Sequence, residues 1–497
     1  MISPHKRSQY QQHALRILQE QVQTFASIQD NPQELMDELR YLFIGIDACP
    51  HDAIFIETRL QLINILKDMP VRYGMSDQWD DLTTYALQTT PSDDAYHLGL
   101  LHWIKAKIAY DRVQRQKARD WISTAWGYAH QSKNPKLIGD IAQTFCSSLV
   151  YHFGEHENAI DMIYQAKEAI SELNTPVPYR LDISLADALR RLGKIWQARR
   201  ILETMAEKWL TPHLPMREQA IILHNLGLMR WVDGAYATAQ SNLQTAAHIY
   251  EDLHELATAC GAYGDLGLCL WAWGKLQQAE TVYNKAIRLA QKAGDAQREM
   301  KLHGNLGLVY MSKGRLDEAE TYILAHIQRA ETLDSPREVS RARGNLAQLA
   351  MYRGNPHNSL PYLQEALNAH QHPNEGRGND LILVCICHLH LGNRDQALNY
   401  LHEAYKTCDE GEHTILPILV YRAAAECYPD QAEAHLTYAL SLAKQYDRRL
   451  DMVGCLLKLA QICHNDDYRI QAHNLLQEMG AEAWLNYGEA PLLPLMI

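Results

Sequence analysis

Glycine returns on a fixed beat. Gly227 recurs as Gly267 and Gly307 and then as Ala347, at steps of 40 residues. A second glycine keeps the same step at Gly234, Gly274, Gly314 and Gly354, and a small residue follows five places later at Ala239, Ala279, Ala319 and Ser359. Three registered features point to one supersecondary unit used over and over, in which each copy packs on its neighbours. A chain of 497 residues is too long for a single compact core, and stacking accommodates that length without one.

Weaker rungs extend the ladder both ways. Downstream lie Gly392 with Ala397. Upstream lie Gly193 with Ala198, Gly154 with Ala159, then Val113 with Ala118 and Gly74 with Trp79. Ala434 and Ala472 can be aligned without a turn glycine. Spacings stay between 37 and 41, which predicts about 9–11 repeats.

Each unit reads as two helices. Leu306, Gly307 and Tyr310 share one face of a first helix, and Ala319, Ile323 and His326 share one face of a second, by i, i+3, i+4 spacing. Between them SKGRLDEA breaks the period at Gly314, a residue suited to a left-handed helix cap. At the repeat boundaries, KAGDAQRE offers Gly294 as stop and Asp295 as cap. LDSPRE offers Ser335 as N-cap, Pro336 at the first helical position and Glu338 to close a capping box. Strand signals are almost absent. Antiparallel helices approach to roughly 8–10 Å only where small side chains sit at the crossing. A glycine inside a helix costs about 1 kcal/mol against alanine, so its return demands a packing reason. Gly227, Gly267, Gly307 and Ala347 on first helices, facing Ala239, Ala279 and Ala319 on second helices, supply one. The GNLG of 304–307 is therefore a packing motif; a phosphate loop needs its glycines between a strand and a helix.

These residues resemble the tetratricopeptide repeat family. Leu306, Gly307, Tyr310 and Ala319 carry its signature in one repeat, and Leu266, Gly267, Ala279 and Tyr283 in the one before. The match is specific over about 216–370. The period is near 40 rather than 34 and the closing proline is missing. That is similar to the long-helix variety found in kinesin light chains and bacterial regulators. The resemblance implies an all-α, right-handed superhelical solenoid with a concave groove lined by first helices, and a peptide or protein partner bound there.

One polar position repeats inside the apolar first helices: Asn225, Asp265, Asn305 and Asn345, each just before the leucine or its equivalent. Helical geometry turns it away from the second helix, so that it either faces the groove or bridges adjacent repeats without meeting a ligand. An amide both donates to and accepts from a peptide backbone, which suits the gripping of an extended segment. The residue before it is Gly264, Gly304 or Gly344, read as bare backbone that leaves room for a ligand. Lys301 and Arg341 stand one turn earlier, as receivers of an acidic segment or as solvated rim charges. Trp231, Trp271 and Met311 follow one or two turns later, as pocket walls or inter-repeat core.

Other chemistry is weakly represented. Cys385, Cys387, His388 and His390 in CICHLH form two pairs that diverge around one helix, whereas tetrahedral zinc needs four converging ligands. No P-loop, HExxH or GxSxG occurs, so no catalytic residue, cofactor or metal is expected. A net charge of −12 argues against nucleic acid as partner. The basic corner RRLGKIWQARR reads as solvated. Ten cysteines lie mostly in apolar segments without a disulfide spacing, no apolar leader is visible, and the longest apolar run, LILVCIC at 381–387, is too short for a membrane. These features predict a cytoplasmic protein with no membrane contact.

The expected organisation is a helical cap or degenerate repeat at 1–70, divergent repeats at 71–215, well-defined repeats at 216–370, a linker or long loop at 371–380, and divergent repeats with a cap at 381–497. The apolar ending EAPLLPLMI seals the last repeat, lies in a groove or anchors a partner. The expected function is that of a non-enzymatic adaptor binding a peptide or partner protein in the groove. Its rival is a sensor whose ligand alters the pitch of the array and so controls an effector.

Overall fold

The computed structural model describes residues 4–28, 55–65, 67, 76–112, 114–211, 213–368, 375–410 and 415–487. The chain divides into two compact units, Met1–Arg191 and Leu192–Ile497. In the first, α1 (Pro4–Ile28) packs on α2 (Ile56–Ile65), which leads to α3 (Ser76–Thr89). The pairs α4 (Ala95–Asp111) with α5 (Arg115–Ser132) and α6 (Pro135–Ser148) with α7 (His156–Glu172) follow, and α8 (Tyr179–Arg191) closes the unit.

The second unit opens with α9 (Ile195–Trp209) and continues as antiparallel pairs. These are α10 (Met216–Val232) with α11 (Tyr236–Asp252), α12 (Leu256–Ala272) with α13 (Leu276–Ala293), α14 (Ala296–Ser312) with α15 (Leu316–Thr332), and α16 (Pro336–Tyr352) with α17 (Pro356–Asn368). Then come α18 (Glu375–His390) with α19 (Arg394–Glu410), α20 (Leu416–Cys427) with α21 (Ala432–Gln445), and α22 (Arg449–Cys463) with α23 (Asp466–Met479). A 3-10 turn, Glu482–Tyr487, ends the described chain. No strand occurs among the described residues. One buried core runs unbroken from Ala220 to Trp484. Both units are helical solenoids, as the repeat requires.

The two glycine positions have separate causes. Gly314 has φ +75° and closes α14 by a double bond pattern: its N–H donates to the Met311 carbonyl and the Arg315 N–H to the Tyr310 carbonyl, both at 3.0 Å. The same pair of bonds recurs at Gly234, Gly274, Gly354 and Gly392. This is the Schellman stop, in which glycine takes the left-handed φ at no steric cost. At Gly267 the cause is space: a methyl group there would lie 2.6 Å from Tyr283 Cζ. At Gly227 it would lie 2.6 Å from Leu243 Cγ, and at Gly307 3.0 Å from Ile323 Cγ1 and 3.4 Å from the Ala319 carbonyl. The crossing therefore pairs each glycine chiefly with the large residue four places after the small one. In the fourth copy Ser359, fully buried, donates its hydroxyl to the Ala347 carbonyl at 2.8 Å.

Between repeats the chain turns without glycine at several places. His254, Asp334 and Asp447 hold φ of +56°, +45° and +44° with the same paired bonds. Gly294 and Asp295 act as read from sequence, the Asp295 carboxylate accepting from the Arg298 N–H at 2.9 Å. The expected capping box at Ser335 does not form. Its hydroxyl makes no cap bond, and Glu338 turns instead to Arg341, 2.9 Å away. A carboxylate beside a fixed guanidinium gains more than one bonded to a neutral N–H.

Two other expectations are corrected. The linker at 371–380 is helical from Glu375 onward, while 371–374 lie outside the described residues. Gly378 there serves close approach, since any side chain would strike Leu416 of α20. Ala434 is exposed; Ala432, Ala439 and Ala443 are the buried small residues of α21. Much of the expected cap at 1–70 and the tail 488–497 lie outside the described residues. Arg190 and Arg191 of the basic corner bind Asp187 at 2.6 and 3.3 Å, and Arg199 binds Glu203 at 3.2 Å, so these charges are locally answered.

Candidate functional site

The recurring polar position lies on one flank of consecutive first helices, and its side chains meet across them. His224 Nε2 of α10 lies 2.7 Å from the Asp265 carboxylate of α12. The Tyr283 ring of α13 ends beside Asn305 of α14, and the Arg341 guanidinium of α16 donates to Asn305 Oδ1 at 3.4 Å. Asn225 is turned back onto its own helix, donating to the Ile221 carbonyl at 2.8 Å. Asn345 differs from these. It is only 9% exposed, and its Nδ2 has no hydrogen-bond partner among the described residues.

Lys301 and Arg341 both lean on Glu338, at 3.7 and 2.9 Å. Lys301 keeps about half of its side chain in solvent, whereas Glu338 is largely covered. Behind this group stands His326 of α15, fully buried, with Nε2 3.4 Å from Glu338. Burial tends to raise the Glu338 carboxyl pKa, but the contact with His326 and the charges of Arg341 and Lys301 outweigh it and hold the group well below the usual range. Burial also pushes the His326 imidazole below its ordinary 6.5, only partly opposed by Glu338.

A folded pKa below the unfolded 6.5 means that the unfolded chain binds more protons at mildly acid pH. The stability associated with neutral His326 is complete above that value and is lost as pH falls through the folded pKa. Glu338 adds a loss of the same sign further into acid. The urea midpoint is therefore expected to fall as the pH drops below the unfolded 6.5, and to fall less in His326→Gln. An equal fall in both proteins would remove His326 as a cause.

The glycines before the polar position do not open onto a ligand. Gly264, Gly304 and Gly344 are all buried. A methyl group at Gly264 would meet Leu302 at 3.2 Å and one at Gly344 would meet Ala366 at 3.4 Å, while at Gly304 it would collide with the His326 ring. One residue is a 100° step around a helix, enough to turn this position from the open flank to the packed one. Trp271 and Met311 are likewise core, and Trp231 is half-buried. The four residues of CICHLH diverge. Cys385 Sγ lies 3.7 Å from Cys427 Sγ, Cys387 reaches the Pro356 carbonyl, and His388 stacks on Tyr400. No cluster of three metal-ligating groups occurs among the described residues, and none of their helices is long and apolar enough to cross a membrane.

One residue of the same flank was missed in the sequence. Asn379 stands six places before Cys385, as Arg341 stands six before Ala347 and Lys301 six before Gly307. It is 7% exposed and its Oδ1 has no partner among the described residues. The spacing was legible, but the surrounding Gly, Pro and polar residues suggested a loop.

Comparison with known proteins bears on the fold. The family model for the tetratricopeptide repeat matches residues 218–292 and 298–372. A Rap protein solved in complex with Competence and Sporulation Factor is similar in fold at 11% identity, covering 72% of this chain and 100% of its own, with a TM-score of 0.55. NprR in complex with its cognate peptide NprX is 12% identical over 67% of this chain and 99% of its own, with a TM-score of 0.47. A signal transduction ATPase with a tetratricopeptide repeat sensor from Pyrococcus horikoshii is 14% identical over 82% of this chain and 55% of its own, at 0.43. No curated protein matches in sequence. Paired helices on a forty-residue beat and the two stretches matched by the family model together show tetratricopeptide repeats over residues 218–292 and 298–372 of this chain.

Proposed function

We propose that the second unit binds an extended peptide, or an unstructured segment of a protein partner, along the polar flank of α10, α12, α14, α16 and α18. One observation carries this reading: the Asn345 amide is nine-tenths buried and yet makes no bond through its Nδ2. A buried donor left unpaired costs about 1–3 kcal/mol, a penalty that a bound carbonyl removes. Asn379 on the next first helix presents an unpaired acceptor. One donor and one acceptor on successive first helices can answer the carbonyl and N–H of a peptide backbone laid across them. Lys301 and Arg341 share the single carboxylate of Glu338, which leaves positive charge for an acidic residue of the ligand. The similar Rap protein, solved with Competence and Sporulation Factor bound, supports a fold of this kind taking up a partner. The role is one of binding, as adaptor or peptide sensor, without catalysis.

The test begins with a partner recovered from the native host and shown to bind the purified chain. Replacing Asn225, Asn305 and Asn345 together by alanine is expected to weaken that complex at least about tenfold, with helical ellipticity unchanged. This corresponds to about 1.4 kcal/mol or more, the loss of one or two net hydrogen bonds. Undiminished affinity in a folded triple variant would remove the site assignment.

A further inference from the structure

The turn glycines of successive repeats have unequal surroundings. Gly354 and Gly392 have positive φ and face nothing within 4 Å. Gly234, Gly274 and Gly314 have the same φ but are covered. A methyl group on Gly234 would lie 3.1 Å from Tyr446, one on Gly274 2.7 Å from Met479 Sδ, and one on Gly314 2.8 Å from the Trp484 backbone nitrogen. The covering residues come from the last helices of the array, some 170 to 212 places along the chain.

Two indole bonds tie the same edge. Trp484 Nε1 donates to the Ser312 carbonyl at 2.9 Å, and Trp273 Nε1 donates to the Asp447 carboxylate. Position 273 departs from its repeat equivalents. Asp233, Lys313 and Arg353 occupy that place in other copies and pair backward with Arg199, Glu280 and Glu320. The tryptophan instead reaches forward across the array. Ser312 also receives the Trp271 indole on its hydroxyl at 2.7 Å, so Trp271, Ser312 and Trp484 are linked in series.

We propose that residues 446–487 form a clasp that closes the array upon the turns of its own repeats at 234, 274 and 314, holding it at one pitch, and that the clasp opens as a unit while the helix pairs remain folded. The contact is of a kind that can open. No helix of 449–487 packs along its length on a helix of 216–312, and the meeting is made by turn backbone and single side chains. The helix pairs, in contrast, share long apolar faces with their neighbours. Interfaces of this second sort persist when an edge contact breaks. Because Ser312 ends the helix that carries Lys301 and Asn305, release of Trp484 frees the end of a helix of the polar flank. That last consequence rests on the peptide-binding reading; the clasp itself does not.

The test needs no ligand. In the full chain, Trp484→Ala is expected to raise hydrogen exchange at least tenfold at the amides of Gly314 and Arg315, and also at Gly274, Lys275, Gly234 and Ala235. Gly392 and Asn393, which make the same turn bonds at a turn with nothing over it, should exchange as before. Should Trp484→Ala fold poorly, Trp273→Phe removes only the N–H donor and is expected to loosen the amides of Asp447 and Arg448. A matched pair adds a second measurement: Gly314→Ala should lower the melting temperature more than Gly354→Ala, since both carry the same φ strain and only the first is covered. Exchange that rises only within 466–487, or rises equally at Gly392, would overturn the clasp, as would equal melting temperatures for the two glycine variants.

Discussion

Asp451→Ala is expected to destabilise the protein by about 3–5 kcal/mol, the range for breaking a buried ion pair from one side. Asp451 is 2% exposed and lies between two guanidinium groups. Arg422 Nη1 is 2.6 Å from one of its oxygens and Arg448 Nε is 2.9 Å from the other. Both arginines are themselves more than nine-tenths buried. Removing the carboxylate leaves two like charges in a poorly solvated place, where their repulsion adds to the lost bonds. The helices cannot simply part to admit water, since Gly454 stands so close to the Arg422 guanidinium that a side chain there would collide with it. The urea midpoint measures the loss. Replacing all three residues by apolar ones of similar volume is expected to recover most of it, because the cost lies in the unpaired charges rather than in missing volume. A single-variant loss under about 1 kcal/mol would show that these arginines reach water after all.

Gly267→Ala should also destabilise, although intrinsic helix propensity argues the other way by about 1 kcal/mol. The added carbon would lie 2.6 Å from Tyr283 Cζ and 2.7 Å from Cε1. The Tyr283 ring is itself 1% exposed, held between α12 and its neighbours, and has no free direction in which to move. Overpacking of this sort costs typically about 1–3 kcal/mol, enough to reverse the propensity gain. Thermal melting of Gly267→Ala beside Gly127→Ala separates the two effects. Gly127 lies in α5 with nothing within 4 Å of its missing side chain, so alanine there should be neutral or stabilising. If both variants gained stability, the helix crossing would have slack that the close approach at Gly267 denies.

The repeat was legible because packing two helices at short distance imposes a local chemical demand, and a local demand leaves a residue type behind. Gly227, Gly267, Gly307, Ala239, Ala279 and Ala319 record the crossing, and the turn glycines record the left-handed φ. The stops between repeats were harder to see. His254, Asp334 and Asp447 adopt the same φ with ordinary side chains, which sequence composition does not mark. The polar flank was readable as a position: Asn225, Asp265, Asn305 and Asn345 are what a forty-residue beat repeats. The neighbouring glycines were misread for the same reason. Both recur, but recurrence does not say whether a residue faces a ligand or the His326 ring.

The sequence by itself determined the architecture of this protein: its helix pairs, their period, their stops and the small residues at their crossings. All of these depend on contacts between residues less than about one repeat apart. Tertiary structure alone decided how the array closes upon itself, which carboxylate Lys301 and Arg341 share, and which buried amide is left without a partner. These depend on residues brought together from different repeats, such as Trp273 with Asp447 and Ser312 with Trp484. The small rotation from each repeat to the next accumulates over the array, and no single repeat encodes where that sum brings the last turn to rest.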